Sequence, residues 1–122
     1  MTGYIEMLKD LGITQDQMDY VTNHQTTIEF ESDIYHKSES KIHGIGVFAL
    51  RKILKEEIIG LGSIDGKHKT ILGRYTNHSD DSNAMFYYLK TRDVVMATER
   101  DIDKDEEILI NYRDHVLNEK YL

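Results

Sequence analysis

Arg74-Tyr75-Thr76-Asn77-His78-Ser79, with Asn83 four residues further on, is the stretch on which the reading of this 122-residue chain turns. Asn, His and Ser in succession have a plain structural explanation, because short polar side chains bond to nearby backbone and favour turns. Upstream stands Gly44-Ile45-Gly46-Val47-Phe48-Ala49, whose two glycines could simply permit a bend between strands. Downstream stand Arg100-Asp101-Ile102 and then Glu106-Glu107-Ile108-Leu109-Ile110-Asn111-Tyr112. Tyr112 taken alone is an ordinary strand aromatic. The order of the three stretches along the chain carries the information that none carries singly.

The surroundings of these stretches read as β-structure. Ile28-Glu29-Phe30-Glu31 alternates apolar and polar residues as a half-buried strand does. Further β-like pieces are expected at Asp33–Lys37, Gly46–Leu50, Glu57–Leu61, Ala84–Leu89, Val94–Thr98 and Ile108–Tyr112. Asp65-Gly66 is a hairpin turn signal, and Ala84–Leu89 should pair with Val94–Thr98 around Lys90–Asp93. Many short strands without long helices between them argue against a βαβ layout. Residues 1–27 read differently. Tyr4, Leu8 and Leu11 share one helical face, and Gly12 fits a helix stop. Thr14 with Gln17 matches a capping box, and Ile13 with Met18 a hydrophobic staple, predicting a second short helix over about Gln15–Asn23. The expected organisation is therefore a helical extension over 1–27 and a mostly β domain over 28–122.

Composition narrows the function. With no cysteine the chain has no disulfide framework and no Cys-ligated zinc. No apolar run is long enough to cross a membrane as a helix. Met1 to Leu11 carries Glu6, Lys9 and Asp10 where a signal peptide has its apolar core, so a cytosolic location (host-cytosolic for a viral protein) is expected. The formal net charge of −7 disfavours nucleic acid, whose phosphates need a basic face. It favours a cationic ligand or basic peptide, or serves solubility alone.

Four patterns are decoys. Gly44–Ala49 formally matches the dinucleotide fingerprint, but the mostly polar run 37–43 precedes it and a strand-like Val-Phe follows within it. Asp101, Asp103 and Asp105 mimic a calcium loop, yet Glu106 stands where glycine belongs and Tyr112 where the closing Glu belongs. Asn77-His78-Ser79 is a glycosylation sequon without a secretory context. The six histidines lack metal-ligand spacing on any evident helix, so no metal is expected.

Taken together, the three ordered stretches resemble the SET domain of protein-lysine methyltransferases. That family carries GxG-V-F-A, then R-x-x-N-H-S, then a terminal E-E-L-x-x-D/N-Y, and the match runs from about Ile34 to Arg113. The resemblance implies a fold of small curved sheets with a C-terminal pseudoknot that brings Asn77-His78-Ser79 beside Tyr112. It implies transfer of a methyl group from S-adenosylmethionine to a lysine of another protein. His43, Gly44, Ile45 and Gly46 are then expected to line the methionine end of the cofactor. Asn77 is expected to hold it through its side chain, and His78 through main-chain contacts to adenine. Tyr112 is the implied catalytic tyrosine, and Ile110 with Tyr112 would wall the lysine channel. The implied partner is a protein with an accessible lysine. The same motifs without turnover would make the chain a peptide- or cofactor-binding module.

Departures from the family pattern are specific. Only about a dozen residues separate Ile59 from Arg74, where many members insert a substrate-binding segment, leaving the peptide groove open or completed by a second subunit. No cysteine-rich zinc module follows, and Asp114–Leu122 could instead cover the channel. Lys55-Glu56-Glu57 and Lys104-Asp105-Glu106 both lack the glycine usual in K-x-G-E. Ile110 replaces the family's Phe or Tyr and leaves room for a di- or trimethylated product.

Overall fold

The computed structural model describes residues 26–117 together with Glu6, Lys9, Asp10, Gly12, Thr14 and Tyr121. The expected second helix, the capping box and staple, and the apolar face of the first helix lie outside the described residues. Glu6, Lys9 and Asp10 are helical. Gly12 follows at φ 70° with its N–H bonded to the Lys9 carbonyl, as the predicted helix stop requires.

The strands are β1 (Thr26–Ile28), β2 (Tyr35–Glu39), β3 (Ile45–Ala49), β4 (Ile58–Ile64), β5 (His68–Thr70), β6 (Asn77–His78), β7 (Ala84–Tyr88), β8 (Val94–Thr98) and β9 (Glu107–Ile110). Helix α1 (Ile71–Tyr75) stands between β5 and β6, and helix α2 (Tyr112–Leu117) follows β9. One sheet runs β1-β5-β4-β8-β7 and the other β2-β3-β9-β6. The expected mostly β architecture is present. The β7–β8 hairpin pairs Ala84 with Thr98 and Tyr88 with Val94 around the predicted turn. Asp65 and Gly66 close the β4–β5 hairpin with φ of 54° and 66°, the positive pair that two-residue hairpin turns favour. Register shifts in β4 against β8, between Ile58 and Gly60 and between Leu61 and Ser63, bend the larger sheet.

Two expectations need correction. The Ile28–Glu31 strand is instead Thr26–Ile28, paired parallel to β5. Its ladder ends at Ile28–Thr70 because β5 turns into α1 at Ile71, and Phe30 beyond it is 43% exposed. The Ile108–Tyr112 strand stops at Ile110, and Tyr112 opens α2. Asn111 explains the break, since its Oδ1 accepts the Arg113 N–H at 3.0 Å, an N-cap bond.

Helix α1 has no strong sequence signal. Thr70 caps it, accepting the Gly73 N–H at 3.4 Å. Its central residue must be glycine, because a Cβ at position 73 would sit 2.0 Å from the Gly62 carbonyl oxygen. That approach lets α1 lie on β4, with Leu72 fully buried, and delivers the chain into β6. Ile53, Leu72, Met96, Ile102 and Ile108 form the centre of one core that also includes Val47 and Ile110. Strand β9 enters between β3, which it meets antiparallel, and β6, which it meets parallel. Loop 79–83 closes over it, with the Ser79 N–H bonded to the Ile110 carbonyl and the Asn83 N–H to the Leu109 carbonyl. This insertion of the last strand behind an earlier loop is the expected pseudoknot.

Candidate active site

Asn77 is the hub. It is 7% exposed, and its Nδ2 donates to the His43 carbonyl at 2.9 Å, the Ile45 carbonyl at 3.4 Å and Glu107 Oε2 at 3.0 Å. One side chain thus ties the glycine loop between β2 and β3 to strand β9. His43, Gly44 and Ile45 are solvent-facing, whereas Gly46 is buried. Gly44 has φ 46° and open space where a side chain would project. At Gly46 a Cβ would lie 2.4 Å from Glu107 Oε2, so the glycine makes room for a carboxylate. Glu107 also accepts from Ser40 Oγ at 2.8 and 3.0 Å.

Around Tyr112 a second set of bonds forms. Its hydroxyl donates to the Thr76 carbonyl at 2.7 Å, and its backbone N–H is accepted by His78 Nδ1 at 3.0 Å. An accepting Nδ1 puts the imidazole proton on Nε2, which faces Asp80 Oδ1 at 3.2 Å. The rings of His78 and Tyr112 are 5.1 Å apart and tilted. The His78 side chain is fully buried, so its ring positions Tyr112 while its backbone pairs with Ile110. Ile110 is 3% exposed and belongs to the core, with half-buried Tyr112 packed against it. Asp80 also meets Arg113 Nη1 at 3.3 Å, and Arg113 pairs in turn with Asp10. The helix that carries Tyr112 is thereby strapped to the N-terminal segment.

The residues singled out from sequence therefore converge, in two linked clusters. Asn77 gathers His43 and Ile45, and His78 gathers Tyr112 and Ile110. Four contributors were given no role from the sequence, although Asn83 and Glu107 lie in the quoted stretches. Ser40 and Glu107 meet across 67 residues. Thr76 contributes a carbonyl, which no side-chain pattern announces. Asn83, fully buried, stands in for a strand, with Oδ1 accepting the Leu109 N–H at 2.8 Å and Nδ2 donating to the Glu107 carbonyl at 2.9 Å. Two of the decoys are placed in a hairpin and a turn, and the sequon begins in strand β6. Gly44–Ala49 lies in the β2–β3 hairpin with no helix after it. Asp101 Oδ1 accepts the Lys55 N–H at 2.8 Å, and no metal-binding group of acidic or histidine side chains exists among the described residues.

Acceptors predominate in both clusters: the carbonyls of His43 and Ile45 and the carboxylate of Glu107 around Asn77, and the carbonyl of Thr76 at Tyr112. Such a set suits a cationic ligand. No described helix is long and apolar enough to cross a membrane.

Comparison with known proteins gives the same reading. The SET domain family model matches residues 60–113. A Plasmodium falciparum protein described as a candidate histone methyltransferase superposes with a TM-score of 0.53 at 28% identity, covering 64% of this chain and 96% of that one. A humanized mutant of the Chaetomium thermophilum Polycomb Repressive Complex 2, bound to an inhibitor, gives 0.52 at 22% identity over 66% of this chain. The chain spans only 15% of that protein, and the likeness is one of fold. No curated protein sequence matches the chain. Family model and structural likeness agree that residues 60–113 match the SET domain and that the chain has the SET fold.

Proposed function

We propose that this protein is a protein-lysine N-methyltransferase that uses S-adenosylmethionine. The observation that carries the reading is the Tyr112 hydroxyl fixed on the Thr76 carbonyl at 2.7 Å, one residue from Asn77 and two from His78. A hydroxyl held this way keeps its lone pairs directed at whatever enters beside it. S-adenosylmethionine supplies a methyl on a sulfonium, so that the lysine nitrogen gains the methyl and sheds a proton while the sulfonium leaves as a neutral thioether.

The protein's own task is alignment and exclusion of water, which dominate for an already activated group. Asn77 holds loop 43–45 in place, and the carbonyls of His43 and Ile45 with Asn77 Oδ1 accept from the cofactor's cationic end. Gly44 keeps the approach open. His78 holds the Tyr112 backbone, and Tyr112 with the Thr76 carbonyl orients the amine. Lysine in water has a pKa of about 10.4, and an apolar channel beside a cation favours the neutral amine that reacts. Ile110, with no hydroxyl, leaves room for the second and third methyl.

A histone tail is the first substrate to test. The 28%-identical neighbour is described as a candidate histone methyltransferase, and a net charge of −7 attracts a lysine-rich tail. Incubation with labelled S-adenosylmethionine and a histone tail, followed by mass spectrometry, should show methyl-lysine. Asn77→Ala should abolish the thermal stabilisation given by the cofactor. A folded wild type that shows neither cofactor-induced stabilisation nor labelled lysine refutes the proposal.

A further inference from the structure

Thr76 is 2% exposed, and among the described residues its Oγ1 is buried without a hydrogen-bond partner. A buried hydroxyl left unsatisfied is costly, so native proteins rarely keep one without a use. Its place is specific. The same residue offers the carbonyl that receives the Tyr112 hydroxyl, and it directly precedes Asn77. The Asn77 side chain is engaged with the 43–45 loop, whereas Thr76 belongs with Tyr112. Thr76 is thus tied, through its carbonyl, to the amine end of the proposed site.

Resting on the methyltransferase reading, we propose that Thr76 is a further specificity-determining residue, whose hydroxyl accepts an N–H of the substrate amine. During transfer the nitrogen lone pair must point at the incoming methyl, so only N–H bonds are left to contact the walls. A neutral unmodified lysine has two, a monomethyl-lysine one and a dimethyl-lysine none. Thr76 therefore assists the first and second transfers and is indifferent to the third.

The test compares wild type, Thr76→Val and Thr76→Ser on synthetic histone-tail peptides carrying no, one or two methyls on the target lysine. Valine keeps the shape and removes the hydroxyl. The kcat/KM ratio of unmodified to dimethylated peptide should fall about tenfold in Thr76→Val, the scale of one hydrogen bond, and recover in Thr76→Ser. The ligand-free Tm of Thr76→Val should match or exceed that of wild type, because no internal bond is lost. An unchanged ratio overturns the inference and leaves the methyltransferase reading intact. A lowered ligand-free Tm also overturns it, because the hydroxyl then has an internal partner such as a structural water. Absence of methylation by wild type on every peptide removes the reading and the inference together.

Discussion

Replacing Gly46 by alanine should show how the glycine loop is held to the rest of the domain. The added Cβ would lie 2.4 Å from Glu107 Oε2 and 3.0 Å from Ser40 Cβ. The far end of Glu107 is the part that yields, so the carboxylate must swing away. It then gives up its bonds from Ser40 Oγ and from Asn77 Nδ2. A hydrogen bond to a charged group contributes about 1.5–3 kcal/mol. Glu107 is only partly buried, so water restores part of the loss, and a net destabilisation of about 2–3 kcal/mol is expected. For a domain of this size that lowers Tm by roughly 8–12 °C. Urea denaturation measures it directly, with the midpoint moving and the slope unchanged. The decisive comparison is a double-mutant cycle with Glu107→Ala. Glu107→Ala alone loses the same two bonds, but it also removes the obstacle to the Cβ. Gly46→Ala on that background should therefore cost less than about 1 kcal/mol, leaving a coupling of about 2 kcal/mol. If the two effects simply add, the glycine is not there to accommodate the carboxylate, and the network described around Asn77 is not what holds the loop.

Tyr112→Phe loses the bond to the Thr76 carbonyl and should cost about 1 kcal/mol of stability, while single-turnover methylation falls at least about a hundredfold, in kcat more than in KM. Near-wild-type turnover would remove the hydroxyl from the mechanism. Glu56 and Asp105 have φ of 66° and 69°, so Glu56→Gly and Asp105→Gly should each stabilise, Glu56→Gly by about 1 kcal/mol and Asp105→Gly by less, since Asp tolerates this region better. Equal or destabilising effects in urea melts would contradict that. Lys69 is partly buried beside the positive charge of Arg74, and desolvation, with Arg74 second, lowers its pKa below 10.5. The unfolded chain then binds more protons between the lowered value and 10.5, so this lysine's penalty applies in full at neutral pH and fades as pH rises through that window. Lys69→Met should therefore raise Tm at pH 7 and lose its advantage as the pH nears about 10.5, which thermal melts across pH would show.

The fold was legible where the signal is local. Asp65-Gly66 needs only its own backbone angles, and the β7–β8 hairpin only the alternation of Ala84–Tyr88 and Val94–Thr98 around a polar turn. Sequence reasoning failed where tertiary contacts decide. Helix α1 contains a β-branched Ile71 and Gly73, poor helix formers both, and exists because Thr70 caps it and Gly62 accepts it. Phe30 alternates correctly but has no strand opposite among the described residues. Tyr112 continued an apolar run and was expected in a strand, yet Asn111 turns the chain into a helix. At the site, Asn77, His78 and Tyr112 were readable because ordered motifs mark them. Their wiring was not. The His78 ring positions the tyrosine, and Glu107 reaches Ser40 across 67 residues, a pairing that only the folded chain defines.

The position of β9 has a consequence for how the protein is made. Among the described residues strands β3 and β6 are joined in their sheet by β9, and Asn77 precedes its contact with Glu107 by 30 residues. On the ribosome, the glycine loop and the Asn77 segment are both synthesised before the strand that seats them in one sheet, with only the bonds from Asn77 Nδ2 to the loop carbonyls to link them. Until residues 107–110 emerge, the facing edges of β3 and β6 stay open, and the carbonyls of His43 and Ile45 have no fixed relation to Tyr112. Long-range closure of this kind is slow and leaves strand edges exposed in the meantime. The second tie, from Asn77 and Ser40 to Glu107, arrives only with β9, and a chain stalled short of that strand is open to edge-to-edge association.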